Sequence, residues 1–422
     1  MPCEPSPAGG FAGIWYAVGR KGAFFMNRRF QYAIVGCSSL LVALFLFGAV
    51  GRSASPDGPY TNLGVYSEVV SRIKGDYVEE PDMKAVTVGA LNGMLEALDP
   101  HASYLNADQF KQYTKTRETK KADVGLVLAK RFGYMAVEDA IPGSPAAKQG
   151  FSTGDVIESI NNVSTRDMPL AFAEQLMQGD AGTSVELSVI RAGRSEPKKV
   201  SMTRAAIANP ALSAKLQGQT GVLVVGGLQA GRVKDVGAQV SALEKQGAKK
   251  FILDLRHSST GAPEEGVGLA NLFLDSGLIT YTQGQKTGKQ EFQATAGKAV
   301  TKLPLAVIVN RSTAGGAEIA AAALLSSKRA QLVGERTYGD AAVRKTVNLN
   351  DGGAVILSVA KYYSPEGKSI QDNGVMPNIL QADTGALDAQ AADDNLPEDA
   401  VDDTAKKSST DELLNRAIQV LQ

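Results

Sequence analysis

The stretch GSPAAKQGFSTGDVIESINN (Gly143 to Asn162) alternates turn residues with short apolar pieces. Gly143-Ser144-Pro145-Ala146 starts a short helix that Gly150 ends, and Gly154-Asp155 turns the chain into a strand at Val156-Ile157. Working outward, Gly125 opens a strand at Leu126-Val127-Leu128, Met168 to Met177 is an amphipathic helix, and Val185 to Arg191 alternates as a strand. Residues 122–205 therefore form one small β-rich domain, read as strand, strand, turn, short strand, helix and two further strands.

That domain is a fraction of 422 residues, a length that predicts two or three domains. Hydrophobic residues make up 44% and charged residues 21%, and 44 Lys and Arg balance 44 Asp and Glu, which describes a folded chain with no net attraction for nucleic acid. Two cysteines, Cys3 and Cys37, and two histidines, His101 and His257, are too few for a structural zinc site or a disulfide framework. No metal or cofactor is expected.

From Phe30 to Gly51 no residue is charged, and Ala33 to Gly51 approaches the ~20 residues of a bilayer crossing. Arg20, Lys21, Arg28 and Arg29 precede it and only Arg52 follows closely, so residues 1–29 are predicted to be a cytoplasmic leader, 30–51 a transmembrane helix, and the remainder exported. Met26 begins a compact charged start, MNRRFQY, and is an alternative first residue. Residues 60–118 carry apolar stripes at helical spacing (Val65, Val69, Val70, Ile73, Tyr77; then Val86, Ala90, Met94, Leu98) and predict two or three helices. Residues 206–382 alternate short buried-type strands with helices, as in a mixed α/β domain. Residues 383–410 hold eight acids against Lys406 and Lys407 and read as an acidic disordered linker. Ser409 and Glu412 then suggest a capping box for a helix in 411–422.

The run quoted first resembles the core of a PDZ domain. The resemblance implies a peptide that adds as a strand beside Val124, Gly125, Leu126, Val127 and Leu128, facing Phe172 and Leu176, with its terminal carboxylate on backbone amides. Taken with DPHASYL (Asp99 to Leu105), GAKKFILDLR (Gly247 to Arg256), VIVNRSTAGGAEIAAAAL (Val307 to Leu324), LVGERTYGDAAV (Leu332 to Val343) and YYSPEGKSIQ (Tyr362 to Gln371), the chain is similar to the carboxyl-terminal processing, or tail-specific, serine peptidases over residues 60–382. The implied fold is a multidomain α+β and α/β chain: a PDZ domain ahead of a mixed α/β peptidase-like core, with a helical lead and one membrane helix.

The family's chemistry needs a serine nucleophile and a lysine base kept neutral by burial. Asn310, Ala314, Glu318 and Ile319 fix the register of the nucleophile motif and put Gly315 at the serine position. In the segment Gly334 to Arg344, Asp340 stands at the lysine position and Arg344 at that of its supporting glutamine. The oxyanion-side loop reads Asp254-Leu255-Arg256-His257-Ser258-Ser259-Thr260-Gly261, with Thr260 in place of the first of two glycines and Gly261 retained. A glycine has no attacking atom, so the expectation is a pseudopeptidase of the bacterial inner membrane, its bulk periplasmic, binding protein or peptide C-termini as a scaffold or regulator. An active enzyme using displaced Ser312 or Thr313 is the alternative. Pairing of Asp340 with Arg344, and a homo-oligomer or hetero-oligomer with active paralogues built through the terminal helices, are further expectations.

Overall fold

The computed structural model describes residues 62–118, 122–191, 196–382 and 411–422, together with Arg194 and five positions between 32 and 40. The leader, nearly all of the predicted membrane span and the acidic linker lie outside the described residues. No helix among the described residues is long and apolar enough to cross a membrane. Two compact units divide the chain, residues 1–83 and 84–422. The first contains α1 (Leu63–Asp76), which buries none of its residues.

The second unit begins with α2 (Met83–Glu96) and then departs from an all-helical lead. In DPHASYL the Asp99 carboxylate accepts the N–H groups of His101 and Ala102, both at 2.8 Å, and the turn delivers a three-residue strand, β1 (Ser103–Leu105), ahead of α3 (Ala107–Glu118). The strand was not anticipated because its partner, the strand Ala354–Tyr363, lies some 250 residues onward.

The small domain holds β2 (Leu126–Arg131), β3 (Tyr134–Ala140), α4 (Pro145–Lys148), β4 (Val156–Ile160), β5 (Val163–Ser164), α5 (Leu170–Met177), β6 (Ser184–Ile190) and β7 (Lys198–Thr203). Its strand order β2-β3-β4-β6-β7 leaves β2 at an edge. Ser144 caps α4 through the N–H of Ala147, and Met135, Ile157, Ile160 and Leu187 close the core.

The larger domain contains β8 (Ser213–Gln217), β9 (Thr220–Val224), α6 (Arg232–Lys245), β10 (Lys250–Asp254), α7 (Pro263–Asn271), β11 (Leu278–Gln283), β12 (Gln290–Gln293), β13 (Leu305–Val309), α8 (Gly316–Ser326), β14 (Gln331–Gly334), β15 (Ala342–Asn348), β16 (Ala354–Tyr363), β17 (Ile379–Leu380) and α9 (Glu412–Val420). The expected α/β pattern forms a sheet β17-β14-β13-β10-β9-β8, parallel except at the β8 edge. Both faces are covered, which explains the unbroken apolar runs of β10 and β13. Phe251, Leu253, Leu305, Val307 and Val309 pack with α6, α7 and α8, whereas Ile252, Ala306 and Ile308 point the other way, to Leu413 and Ala417 of α9. A second, antiparallel sheet, β1-β16-β11-β12 with β15 on β16, went unrecognised in the sequence because β12 and β15 are polar and mostly exposed.

The last helix corrects two expectations. Its cap is Asp411, whose carboxylate accepts the N–H of Leu414 at 3.0 Å; Ser409, the expected cap, lies outside the described residues. Its apolar stripe completes the chain's own core and is not a free surface for a partner. Arg256 clamps the same aspartate through two bonds of 3.1 and 2.6 Å, so the helix start is tied to the loop after β10. With Leu413 1% exposed, Leu413→Ala should cost about 2 to 5 kcal/mol of stability, read as a lower urea midpoint.

Candidate functional site

The site is assembled where α8 begins. After β13 the turn Asn310 to Ala314 is locked by its own side chains: Asn310 Oδ1 accepts the Ser312 N–H at 3.1 Å, and Thr313 Oγ1 accepts the Asn310 N–H at 3.0 Å while donating to Leu255 O at 2.9 Å. The chain then enters α8 through Gly315, at φ 60° and ψ −124°, a conformation that a side chain strains. Strand, sharp strained turn and helix are the arrangement that presents a nucleophile. A Cβ at Gly315 would meet no atom nearer than Asp340 O at 3.8 Å, so the space for a side chain is retained although the side chain is not.

Glu318, in the first turn of α8 and fully buried, holds this corner. Its carboxylate accepts the N–H groups of Gly315 (3.1 Å), Gly339 (2.7 Å) and Asp340 (2.9 Å) and the hydroxyl of Thr337. Burial pushes its pKa up to about 8, against the opposing pull of Thr337 and the two backbone donors of the 339–340 segment. Asp340 is thereby fixed beside Gly315. It bonds Arg344, and His101 Nε2 of the DPHASYL turn lies 3.5 Å from its Oδ1. Burial works against the charge on Asp340, but His101 and Arg344 outweigh it and hold the carboxyl below its ordinary range. Where the family pattern has a neutral base, this chain has an ionised, already paired acid.

The oxyanion-side loop is occupied as well. Thr260 accepts a bond from Gln229 Nε2 at 2.8 Å and its carbonyl accepts the Leu228 N–H. Gly261 must be glycine here, because a Cβ would fall 2.0 Å from Leu228 O. Ser258 directs its carbonyl at the Ala314 N–H, and its neighbours reach the small domain: His257 Nδ1 lies 3.0 Å from Asp139 Oδ1 and Ser259 Oγ donates to Asp139 Oδ2 at 2.7 Å.

Asp139 and its neighbour Glu138 lie on β3 at a β-bulge, where Val127 pairs with Asp139 and Leu128 already with Val137, leaving Glu138 as the extra residue. Glu138 is 1% exposed and its Oε1 has no hydrogen-bond partner among the described residues. Burial, then Asp340, Glu318 and Asp139, raise its pKa well above the usual carboxylate value. Thr153 Oγ1 donates to Glu138 O and lies 2.5 Å from Ser312 Oγ, while the Arg131 guanidinium sits 4.8 Å over the Tyr338 ring. The small domain is thus seated on the corner formed by Gly315 and Asp340.

Of the residues singled out in the sequence, Gly315, Asp340, Arg344, Thr260 and Gly261 fall around this corner. Glu138, Asp139, Thr153, Ser259 and the two histidines were missed as partners; the acidic pair inside the apolar run MAVEDAI was the available signal. The peptide groove is only partly as expected. Strand alternation and the bulge turn Val124 and Leu128 into the domain core, leaving Leu126, Phe172 and Leu176 half buried beside the β2 edge. Phe172 also packs, as Phe110 and Tyr113 of α3 do, against a small cluster of Leu105, Ala171 and Ile356.

The family model "Peptidase family S41" matches residues 219–381, and a PDZ domain model matches residues 137–191. The chain is 32% identical to the carboxy-terminal processing protease CtpA of Bacillus subtilis over 84% of its own length and 78% of that protein's. It is 30% identical to the carboxy-terminal-processing protease of Bartonella bacilliformis over 76% of its length and 75% of the relative's. Among solved structures, the photosystem II D1 C-terminal processing protease superposes with a TM-score of 0.64 at 26% identity, covering 76% of this chain and 88% of that one.

One pH dependence follows from Glu138. Its folded-state pKa lies above the unfolded value near 4.5, so the native chain keeps a proton that the unfolded chain has released. That contribution is fully present below pH 4.5 and is lost as the pH rises towards the folded-state value. Thermal melts of the wild type should fall across this window, and those of Glu138→Gln should fall less steeply.

Proposed function

Because the chain belongs to peptidase family S41, the carboxy-terminal processing proteases, yet has Gly315 and Asp340 at the positions of nucleophile and base, we propose that it is a membrane-anchored, exported pseudopeptidase. It captures extended peptide segments, protein C-termini among them, at the β2 edge of its PDZ domain and serves as a scaffold or regulator of envelope proteolysis. The observation that carries this reading is Gly315 itself, which keeps the strained backbone and the side-chain space of a nucleophile without an attacking atom.

The nearby hydroxyls argue against a relocated mechanism. Thr313 is fully buried with its Oγ1 donating to Leu255 O, and Ser312, 3% exposed, is spent on Thr153. Neither faces a lysine: the oxygen partners of both are a carbonyl, an amide and a second hydroxyl. The uncharged run from Phe30 to Gly51, with basic residues before it, supports the anchor and the exported orientation.

Incubation of the full chain with a fluorophosphonate probe tests the proposal. No serine or threonine adduct should be found by mass spectrometry, and unstructured substrates with apolar C-termini should remain intact. A covalent adduct at Ser312 or Thr313, with cleavage abolished by Ser312→Ala or Thr313→Ala, would overturn it.

A further inference from the structure

The PDZ groove ends in a cradle that is already filled. Strand addition in this domain type places the ligand's terminal carboxylate on the backbone amides that open the first binding strand. In this chain those amides belong to Val124, Gly125 and Leu126. The Gly125 N–H donates to Asp123 Oδ1 at 2.7 Å, and the Val124 N–H is also directed to the Asp123 carboxylate.

Asp123 is held in that place from both sides. Its own N–H and C=O exchange bonds of 2.9 Å with Ala205, an isolated bridge that pins the residue to the end of the domain. Next to it Arg204, 8% exposed, spends its guanidinium on Leu176 O, Met177 O, Ser184 O and Thr183 Oγ1 at 2.8 to 3.0 Å. Arg204 therefore stitches the C-terminal end of α5 to β6, and its charge is matched by Asp123. Burial raises the pKa of Asp123 against the pull of the Gly125 and Val124 amides and of Arg204, and a second carboxylate entering the cradle would meet the Asp123 carboxyl, two occupied amides and no free cation among these partners. The rest of the groove suits an apolar strand: Leu126, Leu176 and Ile207 line it, all half buried.

We propose that Asp123 is the specificity-determining residue of the groove: it stands in for a ligand's terminal carboxylate, so the groove prefers an extended apolar segment that is uncharged at that point, an internal strand or a blocked chain end, over a free C-terminus. This rests on the groove reading given above and narrows it. The charge of Asp123 discriminates, and the β2 edge and apolar lining supply affinity common to both ligand forms.

The test is fluorescence anisotropy with the full chain and one short peptide ending in Leu-Ala-Ala, prepared as the free acid and as the C-terminal carboxamide. The wild type should bind the carboxamide about tenfold or more tightly than the acid. Asp123→Asn keeps an acceptor for the Gly125 N–H but removes the charge, so it should erase most of the difference with little change in thermal midpoint. Asp123→Gly frees both amides beside Arg204 and should reverse the preference. If the wild type binds both forms equally or favours the acid, the assignment of Asp123 is overturned while the groove reading stands. If neither peptide binds any of the three chains, the groove reading fails and this inference with it.

Discussion

The carboxylate of Glu318 is the constraint on which the site depends. It gathers donors from the residue that opens α8 and from the 337–340 segment, so two pieces of chain more than twenty residues apart meet at one buried point. Each buried donor left unpaired would cost about 1 to 3 kcal/mol, which makes the knot worth keeping whether or not chemistry follows from it. Thr337 extends it, since its hydroxyl also accepts the Val375 N–H at 2.7 Å and brings the 370–376 turn into the same corner. A structural demand of this kind explains how the frame of a hydrolytic site persists around a glycine.

Replacing a lysine position by Asp340 changes the sign of the corner, and the surrounding contacts follow from that change. An ionised acid beside Glu318 needs a cation, and it has one in Arg344, while His101 of the DPHASYL turn stands 3.5 Å away with burial favouring its neutral form. The compensation is incomplete, because β3 adds Glu138 and Asp139 to the same region. Asp139 is satisfied by His257 and Ser259, two residues of the departed oxyanion-side loop, whereas burial among like charges works against ionisation of Glu138. The loop that would have presented bare backbone N–H groups to an oxyanion now presents side chains to the neighbouring domain.

Much of the fold was legible in the sequence because buried parallel strands announce themselves as short apolar runs, as β9, β10, β13 and β14 do within the alternating stretch 206–382. The antiparallel sheet was not, since β12 and β15 are mostly exposed and β1 has three residues whose strand state depends on a partner far along the chain. The degenerate positions were readable by register, as Asn310 and Glu318 fix Gly315 without any coordinates. What no local pattern could supply was the seating of one domain on the other, because Asp139 meets Ser259 across 120 residues.

The two functional surfaces are linked by the bulge between β2 and β3. Val127, on the edge strand of the groove, pairs directly with Asp139, which grips the oxyanion-side loop, and the extra residue Glu138 lies among the carboxylates of the corner. A ligand strand added at the β2 edge would therefore bond to backbone one strand away from the contacts that seat the domain. In an enzyme such proximity could set a catalytic geometry. In this chain the same connection runs from the β2 edge through Asp139 to the loop that carries His257 and Ser259.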